Sequence, residues 1–131
     1  MAGTVTQVSN KLGIMKTIVL TCTADASDAS FPETALTEKI DGFLLAMESN
    51  PGGTAPTANY DITLEDGDGL DVLGGAGANR HTSTSEMAGL PFGTYFHWPV
   101  SPEQTYTLKI TNNSNNSAIT VVTLFYSAQS G

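Results

Sequence analysis

The chain is poor in the residues from which most functional sites are built. Its 131 residues include one cysteine, two histidines, and five lysines and arginines against 13 acidic residues, for a formal net charge of −8. The single cysteine, Cys22, can form no internal disulfide and has no cysteine partner for a zinc cluster. No basic cluster is present to displace the counterions of nucleic acid or to bind an anionic membrane surface. The sequence therefore disfavours both as partners.

A long apolar run is also missing. The opening residues, MAGTVTQVSNKLG, lack the apolar core of a signal peptide, and no later segment is apolar over a membrane-spanning length. We therefore expect the chain to fold in a reducing cytosol. Cys22 ends the strand-like run from Thr17, so a buried and unreactive thiol is expected there.

What the chain does contain is short polar residues. Charged residues make up 14% and hydrophobic residues 40% of the sequence, and threonine, serine, asparagine and glycine supply much of the rest. Such side chains suit strand faces and turns. The length fits one domain with a two-layer core. Composition therefore favours a single all-β domain.

Two pairs of segments have the pattern of β-hairpins. Apolar and polar residues alternate from Tyr60 to Leu64, and a glycine- and aspartate-rich turn separates that segment from 70–73. The cleanest alternation of all runs from Tyr106 to Ile110, and an asparagine-rich loop separates it from 119–126. The residues predicted to face the core are Tyr60, Ile62, Leu64, Tyr106, Leu108, Ile110, Val121 and Phe125.

The remaining segments complete the predicted fold. A buried strand is expected within 13–23, and a strand within 36–48, although the apolar residues of 36–48 also fit helical spacing. Residues 74–89 are predicted to form a long loop with a helical turn near 83–87. We predict an all-β β-sandwich or jelly-roll-like barrel of about seven or eight short antiparallel strands. Residues 1–12 would form an N-terminal arm or edge strand, and 13–131 the single β-domain.

No constellation of residues predicts a catalytic, cofactor or metal site. The acidic residues from Glu65 to Asp71 do not match the register of an EF-hand, so they are expected to cap backbone amides. His81 and His97 have no serine or carboxylate at the spacing of a catalytic triad or a metal site. The glycine run at 74–77 is not followed by the lysine and serine or threonine of a phosphate loop. We predict a protein that is not an enzyme.

An aromatic cluster lies at 95–98. Tyr95, Phe96 and Trp98 offer flat rings that suit stacking against sugars, which is one possible role. Filling the core or covering a subunit contact accounts for the same residues without a ligand. Both interpretations stay open at this point.

One long segment carries a resemblance to a known group of proteins. From Pro56 to Arg80 the pattern PTxNYDITLxDxxGxDVLGGxGxNR resembles small virion structural proteins of tailed bacteriophages. In size and composition the chain is most similar to capsid decoration, or cement, proteins. Other residues that look similar are Ala24, Asp25, Ala26, Ser27, Pro32, Ile40, Gly42, Pro51, Leu108 and Ile110.

The resemblance implies a structural role in the virion. It implies a homotrimer that binds the major capsid protein on the exterior of the assembled capsid after synthesis in the bacterial cytoplasm. The contact elements would be the N-terminal segment and the 74–89 loop, with the aromatic cluster as a further candidate. The candidate partner contacts are Val5, Val8, Arg80, His81, Tyr95 and Trp98. A tail, neck or baseplate component and a carbohydrate-binding module are the alternatives.

Overall fold

The protein is built from two antiparallel β-sheets, as seen in a computed structural model that describes residues 2–13, 15–38, 40, 42–89, 98–100 and 105–128. Nine strands lie within these residues, one of them only two residues long. They are β1 (Thr4–Leu12), β2 (Met15–Thr23), β3 (Thr34–Ala35), β4 (Gly42–Pro51), β5 (Asp61–Glu65), β6 (Glu86–Gly89), β7 (Trp98–Val100), β8 (Thr107–Thr111) and β9 (Ile119–Ala128).

The strands divide unequally between the two sheets. The large sheet has the order β1-β2-β9-β4-β6, and β7 also pairs with β4. The small sheet has the order β3-β8-β5. All of the pairings are antiparallel, and no helix occurs in the residues that the structure describes. The predicted all-β, sandwich-like single domain is confirmed.

Alternating side chains of both sheets fill the core between them. Ile18, Leu20 and Cys22 of β2 are fully buried, and the residues between them are exposed or half-buried. The small sheet contributes Ile62 and Leu64 in the same way, and the corresponding residues of β8 are also buried. This agrees with the alternation of apolar and polar residues in the sequence. Six of the eight predicted core residues are buried: Tyr60, Ile62, Leu64, Tyr106, Leu108 and Ile110.

The predicted face of β9 is wrong. Val121 and Phe125 are only half-buried, whereas Val122, Leu124 and Tyr126 are buried. Apolar residues stand at both odd and even positions of this segment, so its own pattern does not choose a face. Pairing with β2 and β4 on either side fixes the register, and it turns the even-numbered residues inward.

The first predicted hairpin is also wrong. β5 pairs with β8, whereas 70–73 form no strand and meet β5 through the bridge between Glu65 and Asp71 and the N–H of Val72, which donates to the carbonyl of Leu64. The Asp71 carboxylate takes the position of a second strand, because it accepts the backbone N–H of Leu64 at 3.1 Å. The chain then turns away through Gly74 and Gly75, both with positive φ.

The second predicted hairpin is instead a connection between the two sheets. β8 belongs to the small sheet and β9 to the large one. Asn112 and Ser117 both have positive φ, which redirects the chain on each side of the loop. The N–H of Ile119 donates to the carbonyl of Thr54 at 2.7 Å, so β9 begins against a different segment.

Two smaller predictions, one for a strand and one for a helical turn, also differ from the structure. The strand predicted within 36–48 exists, but it runs later, as Gly42–Pro51. The predicted helical turn near 83–87 is wrong, because 86–89 form β6 and pair with β4. That pairing supplies backbone partners that an isolated helical turn would lack.

Candidate partner-contact surfaces

The acidic turn after β5 holds its own backbone. Asp66 Oδ1 accepts the N–H groups of Asp68 at 2.9 Å and Leu70 at 3.0 Å. Asp71 Oδ1 accepts those of Leu64 and Leu73, and Asp71 Oδ2 accepts that of Gly75 at 3.1 Å. These carboxylates therefore cap backbone amides, as the sequence predicts for this turn.

Residues 71–80 cover the outer edge of β5. The N–H of Ile62 donates to the carbonyl of Gly77 at 2.8 Å, and the N–H of Val72 donates to that of Leu64 at 2.8 Å. Further along, the N–H of Arg80 donates to the carbonyl of Tyr60 at 2.7 Å. We call residues 71–80 the cover segment. These backbone bonds hold the cover segment against its own chain.

Close contact makes glycine necessary within the cover segment. A Cβ added at Gly77 would lie 2.2 Å from the carbonyl oxygen of Ile62, which is a backbone atom. Asn79 also contacts β5, through its N–H to Asp61 Oδ1 at 2.9 Å. The cover segment therefore fits closely along β5 and leaves that edge without room for another strand.

Arg80 lies inside the domain, although it is a predicted partner contact. Its side chain is 12% exposed, and its Nη1 lies 3.8 Å from Glu86 Oε1. The Nε and Nη1 atoms are buried without a hydrogen-bond partner. Nearby, the hydroxyls of Tyr60 and Thr120 are 2.8 Å apart, and burial raises the pKa of Tyr60. The Arg80 guanidinium is therefore largely buried, and Glu86 is the acidic group beside it.

His81 is exposed and caps a bend. Its Nδ1 accepts the backbone N–H groups of Ser83 and Thr84, each at 3.0 Å. The Ser83 hydroxyl lies 3.3 Å from the same nitrogen. Because two amides already donate to Nδ1, this nitrogen acts as an acceptor that shapes the loop. The imidazole remains at the surface, where a partner can reach it.

The two N-terminal candidates lie on opposite faces of β1. Val5 is half-buried and packs against the core cluster, whereas Val8 is 57% exposed. Gln7 attaches β1 to the end of β3 and the residues that follow, donating from Nε2 to the carbonyl of Ala35 and accepting the N–H of Thr37, both at 3.0 Å. No pattern in the sequence pointed to Gln7. Of this pair, Val8 is the side chain available to a partner.

The aromatic candidates cannot be placed as a group. Tyr95, Phe96 and His97 lie outside the described residues. The backbone of Trp98 begins β7 and pairs with Leu44 of β4. The carbohydrate-stacking role therefore stays a prediction.

The outer faces of the two sheets differ in charge. On the small sheet, Lys109 Nζ lies 2.8 Å from Glu65 Oε1 and 3.9 Å from Glu33 Oε1. The hydrogen bond to Glu65 raises the pKa of Lys109. On the large sheet, the exposed or half-buried positions that alternate with the buried ones in β2 and β9 are threonine, valine and phenylalanine: Thr17, Val19, Thr21, Val121 and Phe125.

The predicted burial of the Cys22 thiol is confirmed. Cys22 is fully buried, and burial raises its pKa to about 12. A thiol in this state has almost no thiolate at neutral pH, so it is a poor nucleophile. Among the side chains the structure describes, no group of three or more histidines, cysteines and acidic residues is arranged to hold a metal ion. The described part of the chain also has no helix long and apolar enough to cross a bilayer.

Comparisons with protein-family models, characterised proteins and solved structures found no match to this chain. The candidate surfaces are therefore defined by their own geometry. The acidic caps of this turn were predictable from the sequence, whereas the covering of β5 by 71–80 was not predicted. The signal for it was present in the aspartate of LDVLGG and the closely spaced glycines that follow it.

Proposed function

We propose that this chain is a non-enzymatic structural protein of a tailed-bacteriophage virion and decorates the exterior of the assembled capsid. The resemblance from Pro56 to Arg80 supports the proposal. In the structure this segment is one unit, since it comprises β5 and the cover segment that bonds along it. The residues that carry the resemblance are thus the residues that build a closed, rigid side of the domain.

The main support for a binding role is that the edge of β5 is closed by its own chain, whereas the edge of the N-terminal strand β1 is open. β1 lies at the edge of the large sheet, and Val8 is exposed on it. A decoration protein needs a rigid body and an accessible surface for the shell. We propose that β1 and the exposed loop at His81 contact the major capsid protein, and that Val5 and Arg80 support those contacts from within.

Charge is consistent with an exterior position. The net charge of −8 would repel packaged DNA, whereas it keeps a protein on the outside of the shell soluble. A homotrimer, as the resemblance implies, would place three such surfaces on one threefold position of the capsid. Simultaneous contacts raise the overall affinity without any new chemistry.

The test is to add the purified protein to capsids that lack it. We expect co-sedimentation with the capsids and a higher temperature of shell disruption. Val8→Asp should weaken binding, because it puts a charge on the exposed face of β1. Leu70→Asp is the matched control, since Leu70 is 54% exposed and lies in the turn after β5. Absence of binding, together with detection of the protein only in tails, would reject the decoration role and favour a tail component.

A further inference from the structure

β1 lacks most of the features that normally protect the edge of a sheet. It is nine residues long, and its register with β2 is unbroken from the pair Thr4 and Thr23 to the pair Leu12 and Met15. It contains no proline, and its only charged residue is Lys11. Natural edge strands are usually short, bulged, charged or covered, because a bare edge attracts another strand.

The other strand edges in the described residues are each limited in one of these ways. β3 has only two residues, and the cover segment lies along β5. β6 has four residues and includes Glu86, whereas β7 includes Pro99, which has no backbone N–H to donate. β1 therefore offers the longest uninterrupted edge in this part of the chain.

The register identifies the backbone groups that point away from the sheet. Leu12 and Met15 enclose the two-residue turn between β1 and β2, and the closing pair of such a hairpin is hydrogen-bonded. Hydrogen-bonded and non-bonded pairs alternate along an antiparallel ladder. Asn10, Val8 and the other even-numbered residues therefore bond to β2. The N–H and C=O groups of Val5, Gln7 and Ser9 point outward.

We propose that β1 binds the β1 strand of a second copy of this chain, antiparallel and around a twofold axis at Val8. This register pairs all nine residues of Thr4–Leu12 with the same segment of the other copy. It joins the two large sheets into one continuous sheet. The outward groups of Gln7 and Ser9 then bond to those of Ser9 and Gln7 across the axis. The proposal does not depend on a role in a virion.

β1 suits a second copy because it complements itself. Val8 lies beside Val8 of the second copy, so the two apolar side chains pack side by side, and Thr6 lies opposite Asn10. The outer face of the joined sheet, which carries Val8, stays accessible to a capsid. No acidic residue occurs in β1, so the contact places no carboxylate against another despite the net charge of −8. The nearby Glu38 is ion-paired with Lys11. The contact yields a dimer, so the trimer implied by the resemblance would require a separate surface.

Disulfide formation tests the proposed register. In a non-hydrogen-bonded pair the two Cα atoms lie about 4.5 Å apart, which suits a disulfide. Val8→Cys should therefore give a covalent dimer with copper phenanthroline as the oxidant. Thr6→Cys is the control, because the two copies of residue 6 would be about 13 Å apart. Cys22 is buried in both variants. Selective crosslinking of the Val8 variant supports the proposal, and equal or absent crosslinking of the two variants contradicts it.

A second pair of variants tests the backbone contribution. Ser9→Pro removes an outward N–H from each copy and leaves the bonds to β2 in place, whereas Ser9→Ala retains that N–H. We expect the proline variant to weaken dimerisation about tenfold or more and the alanine variant to change it little. Light scattering over a concentration series measures both, and circular dichroism checks the fold. A monomeric parent chain at about 100 µM, well above the micromolar dissociation constants of specific complexes, or a dimer unaffected by proline, would overturn the proposal.

Discussion

β5 and β1 both lie at the edge of a sheet, and the chain treats the two edges in opposite ways. Along β5, the outward N–H groups of Ile62 and Leu64 are bonded by the cover segment and by the Asp71 carboxylate. Along β1, the side chain of Gln7 reaches the small sheet, while the backbone edge continues for nine residues. One edge is closed by its own chain, and the other is shaped to receive a strand.

The difference shows where this fold uses its polar residues. Aspartates and glycines around β5 satisfy that edge within the domain. The polar residues of β1 are uncharged except for Lys11, so they keep the edge soluble without blocking it.

The side chains of the two strands should differ most in their contribution to stability. Leu64 of β5 is fully buried, whereas Val8 of β1 is 57% exposed. Leu64→Ala should lower the free energy of unfolding by about 2–5 kcal/mol, because it leaves a cavity. Val8→Ala should change it by less than about 0.5 kcal/mol. Urea denaturation of both variants measures this, and similar losses would show that β1 is not an exposed edge.

The Asp71 carboxylate should be the next most important group. It accepts three backbone N–H groups, from Leu64, Leu73 and Gly75. Asp71→Ala should therefore cost about 2–3 kcal/mol and speed amide exchange at Leu64. Asp68→Ala, at an exposed position in the same turn, is the control and should cost less than about 0.5 kcal/mol. Equal losses of stability in the two variants would show that the Asp71 carboxylate does not stabilise the edge of β5.

The close fit of the cover segment should make Gly77 intolerant of a side chain. The Cβ of Gly77→Ala would overlap the carbonyl of Ile62, so a loss of about 1–3 kcal/mol is expected. Gly53→Ala provides the comparison, because nothing lies within 4 Å of a Cβ there. Thermal unfolding of both variants measures the difference. A Gly77 variant as stable as the parent would mean that the cover segment is loosely attached.

A carboxylate also holds the turn that follows β2 of the large sheet, and here the expected effect is a change in pKa. Asp25 Oδ1 accepts the hydroxyl and the N–H of Ser27, each at 2.6 Å, and these bonds lower the pKa of Asp25. Since the folded pKa is depressed, the stabilisation is present above the unfolded pKa and is lost as the pH falls through the folded pKa. Carboxyl NMR titration should show a higher pKa for Asp25 in Ser27→Ala. An unchanged pKa would exclude the hydroxyl as its main cause.

Local alternation was enough to predict the all-β class and the buried faces of β5 and β8. It failed for β9, because Val121 and Val122 are both apolar and only the neighbouring strands choose between them. The two hairpins were mispredicted because alternation does not identify the partner of a strand, and β8 and β9 in fact belong to different sheets. An aspartate such as Asp71 replaces a strand in the ladder through a bond that no periodic pattern reveals. The sequence could not tell which candidate contact residues are exposed, since nothing in it distinguishes the largely buried Arg80 from the exposed His81.

The most direct test of the contrast between the two edges is residue-resolved amide exchange of the parent chain at low and high concentration. In dilute solution, the amides of Ile62 and Leu64 should exchange slowly, and those of Val5, Gln7 and Ser9 should exchange fast. At high concentration, only the amides of β1 should become protected, because a second copy then bonds to that edge. Protection of β1 equal to that of β5 in dilute solution, or no change of β1 with concentration, would contradict the account.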